Sequence, residues 1–262
     1  DEIGVMVCYI DDQGYLSFDT IGGWDHQVVV GQRVQLLGPA GVVPGVIGKK
    51  AIHLMEKEDR EKVSKAEDLW IDIGATTRAE AEARVRIGDP GVLASAVLEF
   101  PNGRLVSRSL DNRVGAFVVL EALRYLAKDR PAARVTAAAT TREEISYTGG
   151  GASSGARVVE ADVAIVVDVT HATDYPGVEK RKHGDYKLGG GPVISRGASI
   201  NPVLVELILE AAKAEQIPCT IEAAPRGTST DADNIFTSHR GVATALVSVP
   251  LRYMHSPNEM VV

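Results

Sequence analysis

Two adjacent carboxylates, Glu143 and Glu144, follow a run of small and apolar residues from Arg134 to Ala139. The run is typical of a buried strand, and two neighbouring acids at its end repel each other and lose hydration at a cost. A divalent metal ion beside them would offset that cost, with one carboxylate as a ligand and the other carrying a proton. The simpler interpretation is the start of a helix, where acids suit the helix dipole. Taken alone, this stretch favours the simpler interpretation.

Three more polar side chains stand at the ends of predicted elements. Asp111 begins a helix, Asp168 ends an apolar strand, and His255 follows another strand. Each has an ordinary structural explanation, respectively a helix N-cap, a cap of the following loop, and a core histidine bonded to backbone. His171 is a competing ligand near Asp168, although a loop hydrogen bond explains it as well. Together with the two glutamates, the set holds more acids at strand ends than simple solvation explains.

Carboxylates with few histidines suit a pair of divalent metal ions. Zinc binds carboxylate oxygen and histidine nitrogen. An aspartate can bridge two ions, and a water shared between them becomes hydroxide near neutral pH. A neighbouring carboxylate can then act as general base and protonate the leaving group. Glu143 and Glu144 would divide the roles of base and ligand, so composition and spacing indicate a dinuclear hydrolase.

The elements that must position these residues alternate between strand and helix from Asp111 onward. The patterns predict helices at 111–127, 155–160, 202–215 and 231–237, and strands at 135–139, 163–167, 219–223 and 243–249. Alternation of this kind predicts an α/β layered domain with a mainly parallel sheet. In such sheets, functional side chains gather where the strands end at their carboxyl edge.

Residues 3 to about 106 have a different pattern, with many short strands separated by turns. Closely spaced short strands predict a small barrel or sandwich. His26 and His53 are isolated there, and the region contains no catalytic cluster. This part of the chain is therefore expected to support the site rather than to build it.

The bulk composition excludes several classes of partner. The chain has 28 Lys and Arg against 35 Asp and Glu, a net charge of −7, which argues against nucleic acid and anionic membranes. The one basic cluster, residues 180–183, is predicted to be a solvated loop. No apolar run reaches the length of a membrane span. Cys8 and Cys219 lie in apolar runs and are expected to be buried thiols in a reducing compartment, so the cytoplasm is the expected location.

Several motifs together resemble those of the M42 metallo-aminopeptidases, the tetrahedral or deblocking type that includes glutamyl aminopeptidase-like enzymes. The matching stretches lie at residues 22–25, 87–90, 111–115, 141–144, 168–174, 226–232 and 250–257. The resemblance implies a three-layer α/β/α metallopeptidase domain formed by residues 1–2 and 107–262. It also implies an inserted, barrel-like β domain at residues 3–106 that serves oligomerisation and substrate access.

The resemblance also assigns roles to the site residues. Asp111 would bridge two divalent ions, zinc or cobalt, and Asp168 would complete the ligands of the first ion. Glu144 and His255 would hold the second ion, and Glu143 would be the general base. The loop at residues 226–231 would lie near the substrate's side chain or terminus. The implied activity is removal of N-terminal residues from peptides by metal-hydroxide attack, in a homo-oligomer that is commonly a dodecamer.

Asp1 matches the aspartate of the family's His-x-Asp motif and would orient its histidine from behind. That histidine would stand two residues before Asp1, so we expect the natural chain to extend beyond both ends of the sequence. Two alternatives stay open. One is another hydrolase on the same scaffold, such as an endoglucanase-labelled protein or a deacylase. The other is an oligomeric binding protein whose catalytic site has decayed.

Overall fold

The fold is taken from a computed structural model that describes residues 3–145 and 150–262. The described chain divides into two compact units. One lies within Leu98–Met254 and Glu259–Val262, and is called the α/β unit here. The other comprises residues 3–97 and 255–258, and is called the barrel unit.

Six antiparallel strands close the barrel unit into a barrel, in the order β1-β2-β5-β4-β3-β6. Their bounds are β1 Gly4–Ile10, β2 Leu16–Ile21, β3 Arg33–Gly38, β4 Gly41–Lys49, β5 Leu69–Asp72 and β6 Pro90–Leu93, with short helices α1 His26–Val29 and α2 Arg78–Glu82 between them. Burial alternates along β3, where Val34 and Leu36 point into the core. This period of two is the pattern of a strand with one face packed and one face in water. Of the two predicted architectures, barrel or sandwich, the barrel is the one that forms.

The α/β unit has a four-stranded sheet in the order β11-β10-β12-β9 and a three-stranded sheet in the order β13-β8-β7. The strands are β7 Leu98–Phe100, β8 Arg104–Ser107, β9 Val163–His171, β10 Val193–Gly197, β11 Thr220–Ala224, β12 Ala243–Leu251 and β13 Glu259–Val261. The helices are α3 Leu110–Leu126, α4 Gly150–Val159, α5 Lys180–His183, α6 Pro202–Ala214 and α7 Ala232–Ile235. Two of the three pairings in the larger sheet are parallel and one is antiparallel. An α/β fold with a mainly parallel sheet therefore forms.

Two apolar clusters hold the α/β unit together. One joins β9, β10 and β12 to α6 and α7 through Val166, Ile194, Val205, Ala232 and Leu246. The second contains Leu110, Val169, Leu251 and Val261, with Met254 packed against it. The second cluster fixes the start of α3 against the middle of β9, which are the two places that carry Asp111 and Asp168.

Some local predictions were wrong. Residues 135–139 lie outside any helix or strand, and Val135 is exposed. Three of these five residues are alanines, which bury little apolar area and give the run little reason to enter a sheet. Helix α4 begins at Gly150, earlier than predicted, and residues 180–183 form one exposed turn of helix instead of a loop.

The prediction of two buried thiols was also wrong. Cys8 is exposed and Cys219 is half-buried. Burial alternates along β1 from Val5 to Cys8, and because Val7 is buried, Cys8 lies on the exposed face of the strand. In the described ranges, no helix combines the length and the apolar character needed to cross a membrane.

Candidate metal centre

Asp111 lies at the start of α3 but does not cap it. The backbone of Asp111 and Asn112 is not helical, and the side chain of Asn112 accepts the amide hydrogen of Gly115 at 2.9 Å. Asn112 is thus the residue that satisfies the first turn of the regular helix. The backbone amide of Asp111 donates to Glu259 at 3.0 Å. The interpretation of Asp111 as the N-cap of α3 is therefore wrong, and the burial of its carboxylate requires a different explanation.

Asp168 lies within β9 rather than at its end. The strand continues to His171, and Asp168 pairs in register with Ser248 of β12. Its Oδ1 atom accepts the amide hydrogen of Val169 at 2.8 Å. Because the strand runs on for three more residues, Asp168 does not cap the following loop. His171, the competing ligand, lies exposed at the end of β9.

Glu143 and Glu144 lie in a turn, and both are half-buried. The turn follows Thr140, whose hydroxyl donates to Asp231 at 2.5 Å. Its backbone approaches the start of α4, where the amide of Gly151 donates to the carbonyl of Thr141 at 2.7 Å. A Cβ at Gly151 would lie 2.7 Å from the nitrogen of Thr141, so only glycine fits this approach. Within the described residues, neither glutamate belongs to a helix.

The carboxylates of the α/β unit lie close enough to change one another's ionisation. Burial raises the pKa of Glu143 to about 8, with further contributions from the charges of Asp168, Glu144, Asp231 and Asp111. Burial likewise raises the pKa of Asp168 to about 7, again with Asp111, Glu144 and Asp231 contributing, while the bond from the amide of Val169 lowers it. Among the described residues, no basic side chain contributes to either shift. The structure therefore gathers five acids, which are Asp111, Glu143, Glu144, Asp168 and Asp231.

Asp231 is the member of this set whose place the sequence reasoning missed. It was expected only as the end of a loop near the substrate. The structure buries it to 7% exposure just before α7 and within electrostatic reach of Glu143 and Asp168. Its one sequence signal is a charged residue directly before a short helix in a polar loop, and that signal is common at ordinary helix starts.

His255 directly follows Met254, which packs against the cluster containing Leu110 and Val169. Its Nδ1 atom lies 2.7 Å from the carbonyl oxygen of Gly23. Because a carbonyl only accepts hydrogen bonds, Nδ1 carries the hydrogen, and Nε2 is left with the lone pair that a metal needs. Orientation of one ring nitrogen by a backbone carbonyl is common among histidines that bind metals.

The donor set fits a divalent ion. Asp111 and Glu144 each offer a carboxylate oxygen to a candidate metal-binding group. Carboxylate oxygens are ligands that zinc and similar ions accept. A divalent charge would also relieve the repulsion that raises the pKa of Asp168 and Glu143. Asp1, the predicted residue behind a ligand, lies outside the described residues.

A family model described as M42 glutamyl aminopeptidase matches residues 1–262. The chain belongs to the M42 peptidase family. It is 36% identical to the lysyl aminopeptidase of Pyrococcus furiosus over 262 residues, which cover 99% of this chain and 74% of that protein. These findings make this M42 chain a hydrolase of the peptidase class, and they confirm the predicted family.

Two solved structures share the fold over the whole of this M42 chain. One is a TET aminopeptidase from the marine sediment archaeon Thaumarchaeota archaeon SCGC AB-539-E09, with a TM-score of 0.91 and 37% identity over 74% of its chain. The other is the Pyrococcus horikoshii TET1 peptidase, with a TM-score of 0.83 and 31% identity over 76% of its chain. That peptidase can assemble into a tetrahedron or a large octahedral shell.

Proposed function

We propose that the protein is a dinuclear metal-dependent aminopeptidase that removes N-terminal residues from peptides. The observation that carries the proposal is the gathering of buried acids in a member of the M42 family, with pKa values of about 7 for Asp168 and about 8 for Glu143. An ordinary fold gains nothing from such a cluster, because each acid raises the cost of ionising the others. Acids in this arrangement are typical of a site that binds cations.

The proposed ligands divide between two ions, zinc or cobalt. Asp111 would serve both ions, Asp168 would belong to the first, and Glu144 and His255 would hold the second. The closeness of the Asp111 and Glu144 carboxylates supports the second set, the family resemblance adds His255 to it, and the influence of Asp111 on the pKa of Asp168 supports the first. Bound divalent ions would supply Lewis acidity and lower the pKa of a water molecule.

Glu143 is the proposed general base. It is half-buried beside the proposed ligands but has no assigned place among them. With divalent charge nearby its pKa would fall from about 8. The carboxylate would then be ionised near neutral pH, accept a proton from the attacking water, and pass it to the amine that leaves.

The finer architecture is part of the same proposal. We propose a three-layer α/β/α catalytic domain at residues 1–2 and 107–262, with residues 3–106 as an inserted domain for oligomerisation and substrate access. Assembly into a dodecamer is supported by the assemblies formed by the related P. horikoshii TET1 peptidase, and a cytoplasmic location is proposed with it. Light scattering of the purified protein tests this, and a monomer at micromolar concentration would contradict it.

The test of function compares Glu143→Gln with Glu210→Gln, an exposed glutamate on α6. A panel of amino-acyl fluorogenic substrates is assayed with zinc or cobalt, and metal content is measured on the same samples. Glu143→Gln should lower turnover about 10²- to 10⁴-fold with unchanged metal content, because it removes proton transfer alone. Glu210→Gln should match the unaltered protein.

Other outcomes of these assays would support the alternatives. Full activity in Glu143→Gln would remove the assigned base. Release of sugar from a cellulose derivative that continues in the presence of a chelator would favour a glycosidase, since glycosidases use two carboxylates and no metal. Much less than two ions per chain, together with no turnover, would favour a decayed site.

A further inference from the structure

The loop before α7 is fixed by one carboxylate, that of Asp233. Asp233 accepts hydrogen bonds from the hydroxyl of Ser199 at 2.7 Å and from the hydroxyl of Thr228 at 2.9 Å. It also accepts the backbone amides of Thr228 at 2.7 Å and Ser229 at 2.9 Å. Four donors on one side chain leave the loop little freedom. Asp231, two residues away, is therefore presented from a rigid support.

Asp231 contacts the segment that carries the glutamates at Thr140. The hydroxyl of Thr140 donates to Oδ2 of Asp231 at 2.5 Å. The bond is charge-assisted, which makes it shorter and stronger than a bond between neutral groups. Thr140 lies 91 positions from Asp231 along the chain, so the bond joins distant segments.

The segment from Thr140 to Glu144 has no regular structure to hold it. It lies in neither a helix nor a strand, and Arg142 adopts a left-handed backbone conformation with φ of 66°. No ladder of backbone hydrogen bonds therefore sets the position of Glu143. Side-chain tethers such as the one at Thr140 must supply the precision that catalysis needs.

A further acid beside the site has an electrostatic cost, since Asp231 adds to the charges that raise the pKa of Glu143 and Asp168. A neutral acceptor would hold a threonine hydroxyl at lower cost. The negative charge of Asp231 is explained if the strong hydrogen bond from Thr140 stabilises the site more than the repulsion among the acids destabilises it.

We propose that Asp231, held by Asp233, positions Glu143 through the hydroxyl of Thr140. Asp231 is then a positioning residue and not a ligand or a base. The proposal rests on the proposed function for its catalytic consequence. Its structural part, that the hydroxyl of Thr140 restrains the following turn, is independent of what the protein hydrolyses.

The experiment compares three variants of the full-length protein. Thr140→Val removes the hydroxyl and keeps the shape, Thr140→Ser keeps the hydroxyl, and Thr237→Val makes the same exchange at an exposed threonine after α7. Peptidase kcat and KM are measured, together with amide hydrogen exchange of the peptide that covers residues 140–145. The second measurement gives a result even if no substrate is turned over.

Thr140→Val should lower kcat about 10- to 100-fold with KM changed less than about twofold, because a misplaced base slows chemistry without altering ground-state binding. It should also speed exchange at residues 140–145. Thr140→Ser should restore both readouts to within about threefold of the unaltered protein. Thr237→Val should change neither.

Three results would overturn the inference. Thr140→Val could match Thr237→Val in kcat and exchange, or Thr140→Ser could be as impaired as Thr140→Val. Asp231→Asn could lower kcat while Thr140→Val does not, which would make the charge and not the tether important. If Thr140→Val does not fold, Thr140→Ser and Asp231→Asn still decide, since the tether predicts little loss in the first and a larger loss in the second. An inactive unaltered protein with fast exchange only in Thr140→Val would contradict the proposed function and leave the tether supported.

Discussion

Two aspartates with the same exposure, Asp89 in the barrel unit and Asp168 in the α/β unit, have opposite surroundings. Each is 6% exposed. Asp89 accepts the backbone amide of Arg86 at 2.8 Å and lies 3.3 Å from its guanidinium. Asp168 is surrounded by Asp111, Glu144 and Asp231, which raise its pKa further after burial has raised it. The charge of Asp89 is compensated within the protein, whereas the charge of Asp168 is the one that the proposed metal ions would compensate.

The two environments distinguish an acid that stabilises the fold from an acid that serves a functional site. A buried acid with a cation and an amide donor is a structural element, because breaking it leaves an uncompensated charge. A buried acid beside other acids costs stability in the protein alone. Such a cost is typical of functional sites. The two units should therefore respond differently to metal, to pH and to neutralisation of one acid.

The largest expected effect is that of divalent ions on the α/β unit. Each ion at about 100 times its Kd should add about 2.7 kcal/mol, or roughly 5–10 °C in the unfolding midpoint at this chain length. Zinc or cobalt is added to chelator-treated protein, and unfolding is followed by circular dichroism. Trp24 and Trp70, the two tryptophans of the chain, both belong to the barrel unit, so their fluorescence follows that unit separately.

The circular dichroism midpoint should rise more than the fluorescence midpoint, because three of the four proposed ligands belong to the α/β unit and only His255 belongs to the barrel unit. Asp111→Asn should abolish most of the rise, and Glu210→Gln should retain it. Equal shifts of both signals in all three proteins would break the comparison, since metal would then stabilise the barrel unit as much as the unit with the acids.

The next effect concerns pH in the presence of a chelator. Folding raises the pKa of Asp168 from 3.8 to about 7 and that of Glu143 from 4.5 to about 8. An acid with a raised folded-state pKa contributes stability that is complete below its unfolded pKa and is lost as pH rises through the folded one. The α/β unit should therefore lose stability between about pH 5 and pH 8.

Each proton held only by the folded state changes stability by at most about 1.4 kcal/mol per pH unit. Glu143 is partly exposed, so solvent screening reduces its share and Asp168 dominates. The circular dichroism midpoint should fall by up to about 3–5 °C per pH unit, and saturating zinc should flatten the slope. A midpoint that rises over this range would show that the acids are compensated within the protein.

A matched pair of neutralising substitutions should give effects of opposite sign. In chelator near pH 8, Asp168→Asn should raise the midpoint by about 2–5 °C, because the amide has no charge to bury. Asp89→Asn should lower it by a similar amount, because it weakens charge-assisted bonds to Arg86. Asp129→Asn, at an exposed aspartate after α3, is the control and should change little. Midpoint changes of the same sign for Asp168→Asn and Asp89→Asn would contradict the proposed difference between the units.

Local patterns in the sequence were sufficient to predict a small barrel or sandwich for the barrel unit, and they were insufficient for the site. Alternating apolar residues such as Val34 and Leu36 encode a strand directly, since each residue's burial follows from its neighbours. The carboxylates Glu143, Glu144 and Asp168 were predicted from their types, and the family resemblance assigned their roles. The prediction of a strand at 135–139 was wrong, because alanine has a low intrinsic preference for strands and an alanine-rich run needs a partner strand to become one.

Asp231 shows why the rest could not be predicted. Its position depends on the four bonds that Asp233 accepts and on a threonine hydroxyl 91 positions away, and none of these leaves a periodic signal. The same holds for Asn112, which takes the capping role that sequence patterns favoured for Asp111. Contacts between distant polar side chains are set by the assembled fold, and a single sequence does not encode them locally.

The smallest expected effect compares two helix caps. Thr77 caps α2 in the barrel unit by accepting the amide of Glu80 at 3.2 Å, and Thr77→Ala should cost about 0.5–1 kcal/mol. Asn112 accepts the amide of Gly115 at 2.9 Å and also donates to the carbonyl of Val167 at 2.8 Å. Asn112→Ala should cost about 2 kcal/mol, since it removes a cap and a second, half-buried bond.

Val167 directly precedes Asp168, so the bond from Asn112 joins the start of α3 to the part of β9 that carries an acid. Asn112→Ala should therefore also reduce the midpoint rise produced by zinc, whereas Thr77→Ala should leave that rise unchanged. Denaturant titrations with and without zinc measure both quantities on the same samples. If the two caps cost the same and neither alters the zinc response, the bond to Val167 contributes nothing to the site, and the start of α3 is held by its apolar contacts alone.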